Sequence, residues 1–276
     1  MNAIRSELFL LRRRAAGYVT CGIWILLVLC IYMLPLLLSA APLPGQQKMA
    51  SFSGMSLPEA PGTILVTYAA FGGTAFLILG AFIGGSEFDW GTWKTRLWQG
   101  PSRWGVVRAK FVTALVASTL ITVATTIVGF LTSFVVSTVN GLPNNLPGAL
   151  DVLGYAGASI LIAFFFCCLG LCLAIITRNL ALALAIGLVW TLAIETLVSQ
   201  LATMWSPLAF LQKILPRSAA TGLAAPFNTA QGQEGLDITS DITDVLPPAA
   251  ALVVLLAYLT IAIVVSGIAI NRRDVT

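Results

Sequence analysis

Apolar residues run almost unbroken through six stretches of this chain, at about 18–40, 62–85, 111–139, 150–177, 180–200 and 248–270. A membrane-crossing helix needs roughly 20 mostly apolar residues, and each stretch meets that length. None shows the short apolar/polar alternation of a membrane β-strand. The pattern predicts an all-α, polytopic membrane protein with six transmembrane helices in a single domain over 1–276. Arg12, Arg13 and Arg14 precede the first stretch and small residues Ser39 to Ala41 follow it, as in a secretory signal. Its apolar core is about twice the usual signal length, so it reads as a membrane helix.

The polar segments between these spans differ in kind. In residues 2–16, Ile4, Leu8, Leu11 and Ala15 recur at helical spacing, with Arg5, Arg12 and Arg13 on other faces. This predicts an amphipathic helix lying in the membrane interface; a basic tail that only sets topology is the alternative. Residues 41–61 carry Pro42, Pro44, Gly45, Pro58 and Pro61 without periodicity, and 140–149 is a turn of Asn, Pro and Gly. Spans four and five are joined by little more than Thr177, Arg178 and Asn179, so they must be antiparallel neighbours. The 201–247 connection begins apolar but is broken by Pro207 and Pro216. It is too interrupted to span, and needs protein to shield its backbone if it enters lipid. From Asn228 to Asp244 it turns polar and acidic.

Composition sharpens this picture. The chain is 58% hydrophobic and 9% charged, where soluble domains run near 25% charged. It has no histidine, which removes His-ligated metals and His-based acid/base chemistry. Cys21, Cys30, Cys167, Cys168 and Cys172 all fall inside apolar runs and read as small buried side chains rather than a disulfide framework. Twelve of the 15 Lys and Arg residues belong to the N-terminus, the 86–110 loop, Arg178 and the C-terminus; only Lys48, Lys213 and Arg217 fall on the other side. By the positive-inside rule both termini and the 86–110 loop face the cytoplasm.

The 86–110 segment, SEFDWGTWKTRLWQGPSRWGVVRAK, holds five of those basic residues and four of the seven tryptophans. Gly80, Gly84 and Gly85 before it allow another helix to approach span two closely. Glu87 and Asp89 are unfavourable at a helix C-terminus, where the macrodipole is negative. They fit the start of a new helix, or pairing with nearby Lys and Arg. Gly91 and Thr92 can open that helix, with Thr92 as N-cap. Trp90, Trp93 and Leu97 form one face, and Lys94 and Arg96 lie off it. Gly100 and Pro101 stop it, and Ser102 caps the next, which carries Arg103, Arg108 and Lys110 up to span three at Phe111. The reading is a short amphipathic helix along the membrane; an interfacial anchor with no partner is the plainer alternative.

Glu87, Phe88, Gly91, Thr92, Lys94, Leu97, Ser102, Arg103 and Lys110 in this order resemble the permease subunits of the ABC-2 type transporter family. Ser6, Glu7 and Leu8 followed by Leu11, Arg12 and Arg13 resemble the family's start. The family also matches the topology of the whole chain, but only this loop is specific; Trp90, Trp93 and Trp98 are bulkier than its pattern. The resemblance implies a permease that pairs as a homodimer or heterodimer. It also implies two separate ATPase subunits, bound through a cytoplasmic coupling helix between helices 2 and 3. ATP and Mg would sit on those partners, with no cofactor on this chain and no nucleic acid bound. In keeping with that, the chain has no G-x-x-x-x-G-K-[ST] loop. The implied function is export of an amphipathic substrate, such as a drug, a peptide antibiotic or a lipid.

Glu195 lies well inside span five, and an intramembrane acid is a functional-site candidate. It either meets substrate or a proton, or pairs with Thr or Gln across helices or reaches the outer interface. Trp190 and Trp24 sit away from the interfaces where Trp is enriched, lining a cavity or packing between helices. Gly154 and Gly157 allow close helix contact, at a dimer face for example. A proton-coupled secondary transporter using Glu195 is the rival function, weakened by a single clear intramembrane acid and no inverted repeat. The lack of clustered acids or of a nucleophile with a base argues against an enzyme.

Overall fold

The computed structural model describes residues 3–39, 56–92, 102–227 and 246–272. They are helical almost throughout, in the order the apolar pattern sets out. Helix α1 (Ala3–Arg13) is followed, after a 61° bend, by α2 (Ala15–Ser39). The second span starts with a 3₁₀ turn at Leu57–Glu59 and runs through α3 (Ala60–Thr67), a π segment (Tyr68–Gly72) and α4 (Gly73–Asp89). Helix α5 (Arg103–Asn140) and α6 (Ala149–Thr177) are the third and fourth spans. The fifth is α7 (Leu180–Leu188), a π segment (Val189–Ile194) and α8 (Glu195–Met204). Two short helices, α9 (Ser206–Ile214) and α10 (Pro216–Ala224), and a 3₁₀ turn at Ala225–Phe227 precede the last span, α11 (Pro248–Arg272). Five helices are long and apolar enough to cross a membrane, and the bent pair α1–α2 makes a sixth if it is one span. This fits a multi-pass membrane protein.

Helix α6 is the centre of the bundle, packed against α4, α5, α7 and α11. Its seam with α4 is backbone against backbone. A Cβ on Gly80 would lie 1.8 Å from the Cys167 carbonyl oxygen, and one on Gly170 would lie 2.0 Å from that of Leu77. Small residues are what let two helices meet this closely in lipid, where van der Waals packing takes over from the hydrophobic effect. Gly80 behaves as the sequence suggests; its counterpart Gly170 is legible only in the fold. Cys167 and Cys168, beside this seam, are free thiols and fully buried, and the neighbouring Phe165 and Phe166 rings are buried with them. Trp24 is buried too. It packs edge-on against Tyr68 and Phe76, at 4.9 and 5.5 Å between ring centroids. Gly154 packs on Phe227 of the same chain, while Gly157 meets nothing within 4 Å.

The link between spans four and five is as tight as its sequence. Arg178 takes a left-handed conformation (φ 54°) and its N–H bonds the Ala174 carbonyl. The Asn179 side chain then caps α7 by accepting from the Leu182 N–H at 2.9 Å, so α6 and α7 pack as neighbours.

Two expectations for the 86–110 segment change. Glu87 and Asp89 do not begin a new helix; they are the last turn of α4. Gly91 (φ +64°) ends that helix. The Thr92 N–H reaches back to the Glu87 carbonyl and the Gly91 N–H to that of Phe88, the paired closure of a Schellman motif. Likewise Arg103, Arg108 and Lys110 belong to no separate helix. They are the first two turns of α5, which Ser102 does cap by accepting from the Gly105 N–H at 3.1 Å. At 38 residues this helix is about 57 Å long, well beyond the roughly 30 Å hydrocarbon core. The proposed coupling helix, including Lys94 and Leu97, lies outside the described residues.

Candidate functional site

The charged ends of α1, α4 and α5 meet in one buried cluster. Lys110 on α5 is wholly inaccessible to solvent. Its Nζ lies 3.0 Å from Glu87 Oε2 on α4 and 3.3 Å from Glu7 Oε1 on α1, and donates to the Ile83 carbonyl at 2.8 Å. Both carboxylates are buried as well. An ion taken out of water costs several kcal/mol unless its partners are close and well placed. Three groups, from residues 7, 87 and 110, therefore stabilise one another only in this arrangement.

Around the cluster, each charged end finds a partner on another element. Arg14 donates through its NH1 to Ser86 Oγ and stacks over Trp90, 4.9 Å from the ring. Asp89 Oδ1 accepts from the Leu180 N–H at 3.2 Å, at the positive end of α7. That contact relieves the poor position of an acid at the end of α4. Arg103 donates to the Ile270 carbonyl at 3.3 Å, near the end of α11. The turn after span two is thus tied to α1, α5 and α7, and the start of span three to the end of span six. A cavity of about 580 Å³ opens between α1, α4 and α7, lined by Leu11, Arg14, Leu79, Phe82, Ser86 and Trp90 among others.

Of the residues singled out for coupling, Glu87 is in the cluster and Phe88 packs half-buried against the core. Gly91, Thr92 and Ser102 are exposed at the two lips of the segment. Arg103 reaches α11. Sequence reasoning paired Glu87 with a nearby cation in general terms, but missed Glu7 and Arg14 as its surroundings. The signal for them was weak: a lone acid in a basic, amphipathic N-terminus reads as surface.

At the opposite end, Glu195 is also buried, at 1% exposure. It accepts a hydrogen bond from Trp190 Nε1 at 3.1 Å. Arg217, at the start of α10, lies against it through both its backbone N–H and its guanidinium charge. The partners are therefore neither Thr nor Gln, and the carboxylate faces the broken outer segment. Trp190 itself is 42% exposed. Residues five apart on an α-helix face different ways. The π segment, with its wider i→i+5 turn, brings Trp190 and Glu195 to one side.

A third polar feature escaped the sequence reading. Ser118, Thr122, Thr125, Ser133 and Ser137 on α5 are all buried inside the bundle. Thr125 bonds the Ile121 carbonyl one turn back at 2.8 Å, and Ser137 Oγ accepts from the Leu57 N–H at 3.0 Å. In a segment of high mean hydropathy, single hydroxyls do not register. No group of three or more metal-ligating side chains occurs among the described residues.

The profile of one family, Protein of unknown function (DUF2705), matches residues 51–276. The chain belongs to the DUF2705 family. No curated protein matches it. The DUF2705 match takes in Glu87, Lys110 and Glu195 but not Glu7 or Arg14, so the basic cluster joins a part of the chain inside the match to a part outside it.

Proposed function

We propose that this chain is the membrane-spanning permease subunit of an ATP-binding cassette exporter of the ABC-2 type. Its basic end faces the cytoplasm of a bacterial cell, with both termini there, and two copies of a separate ATPase dock on the segment between spans two and three. A second permease chain, identical or related, completes the membrane domain. α1 lies in the inner interface, and the coupling helix lies between spans two and three. The substrate is amphipathic: a drug, a peptide antibiotic or a lipid. The chain itself is not an enzyme.

The observation that carries this reading is the Glu7–Lys110–Glu87 cluster. It welds the two lips of the 86–110 segment to α1 and to the long α5, so a push on the segment moves helices rather than a loose loop. Through Asp89 and Arg103 the same push reaches spans five and six. The test is purification from the native host in mild detergent with a search for a co-purifying nucleotide-binding protein, then reconstitution. Glu87→Ala is expected to leave ATP hydrolysis running while transport falls. Normal coupling in that variant would reduce the segment to an anchor.

A second reading is favoured by one observation, the buried Glu195 beside a π segment: a proton-coupled secondary transporter. Transport driven by a proton gradient alone, with no nucleotide-binding partner, would select it.

A further inference from the structure

The cavity at the basic end has a mixed wall: Glu7, Arg13, Arg14, Ser86 and Asp89 line it together with the apolar Leu79 and Phe82. Its volume of about 580 Å³ falls in the range of ligand pockets, roughly 300–1,000 Å³. It lies where α1 bends into α2, at the level where α4 ends and α7 begins, the boundary between lipid tails and headgroups for helices of this length.

The electrostatics select the occupant. Arg5, Arg12 and Arg13 on α1, Arg14 at the bend into α2, and Arg103 and Arg108 on α5 crowd this end. The acids among the described residues there are already engaged: Glu7 and Glu87 hold Lys110, and Asp89 caps α7. Arg14 spends Nη1 on Ser86, and its side chain is only half-buried beside the cavity. The exposed part of a half-buried guanidinium is where an anion can dock, and phosphate oxygens match its fork. The apolar part of the wall, Leu79 and Phe82, is completed by a hydrocarbon chain.

We propose that this cavity binds one anionic phospholipid, with its phosphate on Arg14 and one acyl chain along Leu79 and Phe82. The site holds α1 against α4 through the lipid as well as through Lys110. The proposal does not depend on the transport reading.

The test uses the full-length protein in detergent, stripped of native lipid, with equimolar phosphatidylglycerol and phosphatidylcholine in competition. Native mass spectrometry counts bound lipid, and thermal unfolding reads the stabilisation. Wild-type protein retains phosphatidylglycerol over phosphatidylcholine by about tenfold, the worth of one charge-assisted contact. Arg14→Gln brings the ratio near one. Arg12→Gln, on the exposed side of α1, leaves it unchanged. Gly17→Leu fills the cavity from α2, where an added Cβ meets Leu11 Cδ1 at an ordinary 3.4 Å. It keeps the guanidinium and loses the bound lipid of both kinds, an arm independent of how Arg14→Gln folds. Persistence of the tenfold preference in Arg14→Gln, or wild-type lipid retention in Gly17→Leu, would overturn the proposal. So would equal stabilisation by soluble glycerol 3-phosphate, which would make the site one for a free anion.

Discussion

At the basic end, one buried ammonium holds two carboxylates drawn from three separate elements. At the far end, one buried carboxylate rests on an indole five residues before it and on the start of α10. Both are charges removed from water, yet their structural weight differs. Lys110 has two opposite charges within 3.3 Å and a carbonyl at 2.8 Å, so removing it strands two acids. Glu195 has a neutral N–H donor and a cation, and its removal strands no acid. The basic cluster therefore acts as a fastener between elements. Glu195 is an acid that the fold tolerates at modest cost, as expected of a group kept for what it contacts.

The sharpest way to break this comparison is Lys110→Met. It leaves Glu7 and Glu87 buried without their cation, and a loss of about 3–5 kcal/mol is expected. Denaturant or thermal unfolding in detergent measures it. The combined change Glu7→Gln, Glu87→Gln and Lys110→Met should recover most of that loss, because no buried charge then remains. A combined variant as unstable as Lys110→Met alone would mean that packing, not charge, holds the three elements.

Next in size is Gly91→Ala. A side chain at the left-handed φ of Gly91 costs about 1–2 kcal/mol. The strain falls on the turn that sets where Glu87 and Asp89 sit, so hydrogen exchange should rise at the end of α4 and the start of α7 together. Unchanged exchange at α7 would show that Asp89 does not tie the two.

The smallest effect belongs to the far end. Trp190→Phe removes one donor to Glu195 and should cost about 1 kcal/mol of stability. Glu195→Gln keeps an acceptor for that indole and should cost less; under the proposed export function it also lowers transport without loss of ATPase assembly. If Glu195→Gln destabilises as much as Lys110→Met, the two ends are alike and Glu195 is a fastener too. If transport is untouched, the residue leaves the candidate site.

The spans could be read from sequence because a membrane allows so few solutions. Long apolar runs must be helices, since no other backbone satisfies its own hydrogen bonds in lipid. That is why α2, α6, α11 and the fifth span (α7 through α8) fall close to the expected limits, and why the Pro207 and Pro216 breaks appear as α9 and α10. Tight-turn chemistry was equally legible: Asn179 and Ser102 cap as their side chains predict. That Gly91 stops α4 went unread, because a glycine beside a threonine marks a helix start as readily as a helix stop. Which it is depends on whether the backbone behind it is already helical.

What the chain alone decided, then, is the helical, multi-pass class, the order of the spans and the crowding of positive charge at one end. These follow from local hydrophobicity and from counting. Only the tertiary structure decided which charges become partners. Glu7, Glu87 and Lys110 are up to 103 positions apart, and nothing in their flanking residues distinguishes a surface ion from a buried one. The meeting of Gly80 with the Cys167 backbone, and of Trp190 with Glu195 across a π turn, is likewise set by how helices pack and by where one of them widens. Burial makes these contacts strong, and burial is a property of the assembled bundle rather than of any stretch within it.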